Sequence, residues 1–460
     1  MIKRYIGDRA FYRRLLAVAL PIIIQSGITN FVSMLDNIMV GQVGTIPMSG
    51  VSIVNNLIFV FNLCIFGACS GAGIFTAQFH GARDNEGIRH TFRFKFLICA
   101  AITLVGCLIF RLAGDPLICL YLTGDGEAAT AAQILFEGRK YLRIMLWGFL
   151  PFALTQAYAG TMKETGNTFI PMVAGIIATL TNLALNYVLI FGHFGAPQMG
   201  VEGAALATVI SRFVELAIVS FWTHLHTDQF AYIKGAYRSF YIPGRLLGTI
   251  VRKGMPLLAN EFLWSSGMAI LNQCYSTCGL DVVPAMNISS TLFMLGSVVF
   301  LSLGNTVGIL MGQMLGAGEH PESVRDTNRK LMFVSILSGL FFGCLMALCS
   351  GFFPKIYNTT EDVRALATVL ICINAMMMPF NSYTNATYFT LRSGGQTLVT
   401  FLFDSCFVWG ACVPVAFLLS RFTDLSIIPL FAICQSLELI KCALGACMLK
   451  KGKWIQNLTV

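Results

Sequence analysis

Residues 20–45 read LPIIIQSGITNFVSMLDNIMVGQVGT, an apolar run that opens on Pro21, carries one charged side chain, Asp36, and closes on Gly41 and Gly44. A helix needs about 20 predominantly apolar residues to cross the hydrocarbon core of a bilayer, and this run supplies them. The pattern returns 235 residues later: Pro21 aligns with Pro256, Asn37 with Asn272, Gly44 with Gly279, Gly73 with Gly308, Gln78 with Gln313, and Gly81 and Ala82 with Gly316 and Ala317. At an offset of 229, TMKETGNT (161–168) then matches TLRSGGQT (390–397). A fixed register that includes glutamine and paired basic turns marks an internal duplication, because chance recurrence of Gly and Pro would not hold it.

Composition agrees with a chain solvated by lipid. Of 460 residues, 56% are hydrophobic and 12% charged, against about 25% charged in soluble domains, and the mean hydropathy is +0.72. Such a chain cannot cover a water-facing surface. The 15 Cys lie mostly inside apolar runs, where the thiol packs as a small hydrophobe, so neither a disulfide framework nor a zinc site is expected. Apolar stretches predict about twelve transmembrane helices near 15–40, 49–79, 91–112, 140–161, 169–191, 201–222, 250–276, 285–315, 331–352, 363–387, 398–419 and 427–448. The expected fold is an all-α integral membrane protein with two pseudo-symmetric six-helix lobes around a central cavity. Its parts are an N-terminal lobe (1–222), a cytoplasmic inter-lobe linker (223–249) and a C-terminal lobe (250–460).

The distribution of Lys and Arg orients the chain. Twenty-two fall on the side of the termini and the 223–249 loop and seven on the other, with Arg212 and Lys441 inside spans. The positive-inside rule then puts both termini in the cytoplasm of a cell-membrane protein. The net charge of +9 thus reads as topology and as attraction to anionic membrane lipids rather than to nucleic acid. Six spans per half make the repeat parallel, and two lobes around a cavity that opens alternately to either side follow from that arrangement.

The residues resemble a known family, the multidrug and toxic compound extrusion (MATE) transporters. The matching segments include the opening stretch, GAGIFTAQFHGARDNEGIRHTFR (71–93), GTMKETGNTFIP (160–171), NLALNYVLIFGHFGAPQMGVEGAALATVISR (182–212), GQMLGAGE (312–319) and YFTLRSGGQT (388–397), in family order. The resemblance implies the twelve-helix, two-lobe fold and cation-driven export of drug-like or organic cation substrates. A secondary antiporter coupled to H+ or Na+ and working by alternating access is the expected function, without a cofactor and as a monomer. A lipid-linked or polysaccharide flippase of the same superfamily is the rival reading, and a channel or receptor fits less well. No nucleophile and base pair, Walker loop or metal cluster points to an enzyme.

Acids at membrane depth are functional candidates because burying a carboxylate there costs about 2.5–3.5 kcal/mol on insertion scales. Asp36 leads them, and the resemblance also places a cation-coupling acid at this position. Asn182 and Asn186 share one face of the fifth span at i, i+4. In archaeal-type relatives that face holds an Asn and then an Asp, which with a sixth-span Thr are linked to a cation site. Here Asn186 stands at the Asp position and Thr208 at the Thr position. Asp36, Asn182, Asn186 and Thr208 are therefore the expected coupling group, able to hold either a proton or Na+. Glu261, Asp404, Gln25, Asn260 and Tyr187 are expected around the substrate or ion cavity, with Asp404 pairing either a cavity cation or Arg392. Arg212 with Glu215, and Glu438 with Lys441, are expected to pair locally at i, i+3. Pro21 and Pro256 are expected hinges, since each removes a helix hydrogen bond.

Overall fold

A computed structural model describes residues 5–122, 128–279, 281–423 and 425–459. Lys3 and Arg4, two of the basic residues used for topology, lie outside the described residues. The described chain is helical throughout, with α1 (Arg9–Gly41), α2 (Thr45–Gly81), α3 (Asn85–Cys119), α4 (Ala128–Met145), α5 (Phe149–Glu164), α6 (Phe169–Phe191) and α7 (Val201–Leu225) in its first half. The second half holds α8 (Gly244–Ser276), α9 (Val282–Gly316), α10 (Pro321–Cys349), α11 (Glu361–Ser393), α12 (Thr397–Phe401), α13 (Val413–Phe422) and α14 (Ile427–Lys451). A 3-10 turn joins α4 to α5, and two π-helical turns, Leu402–Cys406 and Val408–Cys412, join α12 to α13. Counted through those turns, the described residues form twelve long helical segments, the number that the apolar runs predict. Ten of them are long and apolar enough to cross a membrane.

Local chemistry sets the ends of these helices. Asp84 caps α3 by accepting from the backbone N–H groups of Glu86 and Gly87, and Gly192 ends α6 with φ +76, a conformation that costs a residue with a β-carbon. Pro21 and Pro256 are not helix starts. Each is the thirteenth residue of its helix, α1 and α8 respectively.

Two compact units make up the chain. The first comprises Ile24–Thr76 and Asp84–Val251, the second Met1–Ile23, Ala77–Arg83 and Arg252–Val460. Phe61 stacked on Phe149 at 4.2 Å between centroids, with Ile65, Ala153 and Ile190, marks the core of the first. Segment 223–249 folds onto this unit. There Arg93 of α3 donates to the carbonyls of Ala236 (2.8 Å), Gly235 (2.9 Å) and Tyr241 (3.1 Å), and Tyr232 and Ile233 are buried. The second unit has one core around Leu15, Val307, Met311 and Phe389 and another around Leu271, Ala285, Leu370 and Leu430.

The short piece Ala77–Arg83 belongs to the second unit because glycines let it come close. A β-carbon on Gly81 would sit 1.9 Å from the Gln313 carbonyl oxygen, and one on Gly316 would sit 1.8 Å from that of Gln78. These are the residues that the 235-residue register pairs, so the repeat partners pack reciprocally across a crossing that only glycine permits.

Candidate functional site

Asp36 lies near the end of α1 in the first unit, opposite a face of α6 that carries Asn182 and Asn186 one helical turn apart. Asn186 Nδ2 donates to Asp36 Oδ1 at 2.8 Å and to Asn182 Oδ1 at 3.3 Å. Asn182 Nδ2 meets Thr208 Oγ1 of α7 at 3.2 Å, and that hydroxyl donates to the Ala204 carbonyl. Both asparagines are buried. The structure thus brings together Asp36, Asn182, Asn186 and Thr208, from three helices and far apart in sequence.

The Asn182 amide can face Asp36 either way. Turned over, it donates from Nδ2 to Asp36 Oδ2 at 2.8 Å while its oxygen accepts from Thr208 Oγ1 at 3.2 Å. An ionised carboxylate, which only accepts, requires that orientation, whereas a protonated one can donate its O–H to the amide oxygen. Asn186 Oδ1 is buried and has no hydrogen-bond partner among the described residues. A carboxylate, two amide oxygens and a hydroxyl are hard oxygen donors of the kind that hold an alkali cation, so the group fits Na+ as well as a proton.

Asn260 and Asp404 belong to a separate network in the second unit. Asn260 Nδ2 donates to Asp404 Oδ2 at 3.1 Å, and Asp404 Oδ1 receives the Lys441 ammonium at 2.8 Å. The expected alternative partner, Arg392, lies instead over the Phe389 ring at 5.3 Å. Lys441 stands 4.0 Å from Glu438, so its shorter contact is to Asp404 of the neighbouring helical segment rather than to the local acid. Arg212 likewise reaches past its own turn, to the Gly148 carbonyl at 3.3 Å and over the Phe152 ring. Lys and Arg span more than one helical turn and reach acceptors on adjacent helices, which for Lys441 adds Asp404 to the expected local contact with Glu438.

Among the described residues, the remaining candidates form no hydrogen bond to these two networks. Gln25 lies against Gly175 of α6, where a β-carbon would come within 2.5 Å of its Nε2. Tyr187 is exposed and stacks on His193 at 4.3 Å. Glu261, next to Asn260 on α8, is half-buried. Sequence reasoning took Lys441 as a local partner only, although its offset of 229 from Arg212 was a signal that each repeat carries a basic residue at this point.

A family model described as MatE matches residues 21–188 and 256–418, and its two matches open at Pro21 and Pro256, the positions paired by the repeat. The probable multidrug resistance protein NorM of Thermotoga maritima is 23% identical over 442 residues, spanning 96% of this chain and 93% of that protein. The multidrug resistance protein PmpM of Pseudomonas aeruginosa is 26% identical over 426 residues, 90% of this chain and 85% of its own. Among solved structures, an outward-facing multidrug resistance MATE family transporter of the MOP superfamily superposes with a TM-score of 0.84 at 17% identity over 98% of both chains. A MOP superfamily transporter from Pyrococcus furiosus gives 0.83 at 18% identity, again over 98% of both. At these identities the structural likenesses establish the two-lobe fold.

Proposed function

The chain belongs to the MatE family, and from that premise we propose that it is a secondary antiporter exporting small, drug-like organic cations in exchange for H+ or Na+. Relatives aligned along nearly its whole length are named multidrug resistance proteins, which supports drug efflux over enzymatic chemistry. It works as a monomer in the cell membrane, with both termini and segment 223–249 in the cytoplasm, as its basic residues favour.

The observation that carries the coupling role is the pocket of Asp36. Its neighbours are an amide at 2.8 Å, a second amide that can present either end, and a buried amide oxygen with no partner among the described residues. Such a group accepts the loss or gain of one positive charge by turning an amide, without leaving a buried carboxylate unsatisfied in either state. Ion binding at Asp36 favours one lobe arrangement and substrate the other, so the two compete for a shared conformational equilibrium. One charge moving inward through about 150 mV releases about 3.4 kcal/mol, enough for somewhat more than a hundredfold solute gradient.

Purified protein in liposomes tests this reading, with proton and sodium gradients imposed separately and efflux of ethidium followed. Wild type should respond to one of the two gradients and Asp36→Asn to neither. Equal extrusion by both proteins under every gradient would overturn the coupling role of Asp36.

A further inference from the structure

Lys441 and Arg212 stand 229 residues apart, the register of the second repeat match, so each repeat carries one basic residue at the same point of its last span. Their surroundings differ. Arg212 spends its guanidinium on the Gly148 carbonyl and the Phe152 ring, and Asp36 in the same unit forms no ion pair among the described residues. Lys441 is buried, with its ammonium 2.8 Å from Asp404, 4.0 Å from Glu438 and 5.3 Å from the centre of the Phe403 ring.

This ammonium sits between two carboxyl groups, those of Asp404 and Glu438. The backbone N–H of Ser405 donates to Asn260 Oδ1 at 3.3 Å, and the Ser405 hydroxyl reaches the same oxygen at 2.7 Å. A backbone N–H can only donate, so the Asn260 amide is fixed with its nitrogen toward Asp404 Oδ2, which accepts. Thr384 Oγ1 lies within hydrogen-bond reach of Glu438 Oε1 and of the Asn381 carbonyl. Asp404 itself lies in the π-helical turn Leu402–Cys406, a departure from α-geometry often found at functional positions. Two carboxylates, a hydroxyl and one ammonium carry a net charge of −1. Without the ammonium they would form an oxygen-lined pocket for a hard monovalent cation.

We propose that Lys441 is a resident cation: its ammonium fills the place that an alkali cation would otherwise take between Asp404 and Glu438, and so keeps the second unit out of ion exchange. The coupling ion then loads the Asp36 group alone, one ion per transport cycle. This deepens the antiport reading and rests on it for the role of Asp36. Burying two carboxylates without a counter-charge is strongly unfavourable, so removing the ammonium leaves a pocket that recruits its own cation.

The test counts 22Na+ bound to the purified full-length chain at pH 8 by equilibrium dialysis. Lys441→Met should bind one more Na+ per chain than wild type, Lys441→Arg the wild-type number, and Asp404→Asn combined with Lys441→Met should lose the added ion. Lys441→Gln replaces Lys441→Met where the latter does not fold. In liposomes, Asp404→Asn and Glu438→Gln should leave the number of coupling ions moved per substrate at the wild-type value. A folded Lys441→Met or Lys441→Gln protein that binds no additional Na+ overturns the proposal, as does a lower ion-to-substrate ratio in Asp404→Asn with Lys441 in place. Failure of the antiport reading looks different: Asp36→Asn would then leave coupling intact, whatever the sodium count at Lys441.

Discussion

Asn186 on α6 donates to Asp36 on α1 at 2.8 Å across 150 positions of the chain. Hydrogen bonds to charged groups contribute about 1.5–3 kcal/mol. Asn186→Leu removes both this donor and the neighbouring buried oxygen while leaving an apolar side chain of similar size. Gradient-driven ethidium efflux from liposomes should fall by roughly tenfold or more. Efflux within twofold of wild type would show that the amide is only packing.

The crossing of Gly81 with Gln313 and of Gly316 with Gln78 leaves no room for a methyl group. Gly81→Ala and Gly316→Ala should each lower stability by about 1–3 kcal/mol through overpacking against backbone that cannot move aside. Gly410→Ala is the comparison, because a β-carbon there meets nothing within 4 Å. Thermal unfolding of the three purified variants measures the difference. Unchanged transitions for both glycines at the crossing would mean that the helices separate at little cost.

Much of this architecture is legible in the sequence because it is local or periodic. Apolar length announces the helical segments, and a constant offset announces the duplication that places Pro21 and Pro256 thirteenth in α1 and α8. Asp36 stands out because a lone acid in an apolar run has no local partner. What distance along the chain conceals is which long side chain answers which acid. Asp404 could be matched by Arg392 or by a cavity cation until the fold brought Lys441 to it, and Arg212 reaches the Gly148 carbonyl 64 positions away. The folding of residues 223–249 onto α3 is equally hidden, since Arg93 recognises three carbonyls and a carbonyl leaves no mark on sequence.

Those three carbonyls make Arg93 the fastening of segment 223–249. Lysine cannot replace its fork of donors, and Arg93→Met leaves the acceptors of Gly235, Ala236 and Tyr241 to find water. Loss of charge-assisted bonds at a buried side chain should cost about 2 kcal/mol locally, which opens the segment roughly thirtyfold more often. Limited trypsin digestion should therefore cut after Lys234 and Arg238 markedly faster in Arg93→Met than in wild type. Equal rates of cutting would show that Tyr232 and Ile233, both buried, hold the segment without it.

Gln78 offers the last test, because the C-terminal residues after α14 complete its hydrogen bonding. Its side chain has no exposed surface. Nε2 donates to the Ser393 carbonyl at 2.9 Å and to the Gln456 carbonyl at 3.2 Å, while Oε1 accepts from the Leu458 N–H at 2.7 Å. Deleting residues 456–460 strips the amide oxygen of this partner and the nitrogen of one acceptor. An unsatisfied buried polar group costs about 1–3 kcal/mol, and the truncated chain should unfold a few degrees below the full one. Gln78→Met has no amide to satisfy, so the same deletion should cost less in that background. A double-mutant cycle built from the two changes should then show a coupling of about 1 kcal/mol. Strictly additive losses would mean that the tail stabilises the chain through Leu458, whose side chain lies against Gly395, and owes nothing to Gln78.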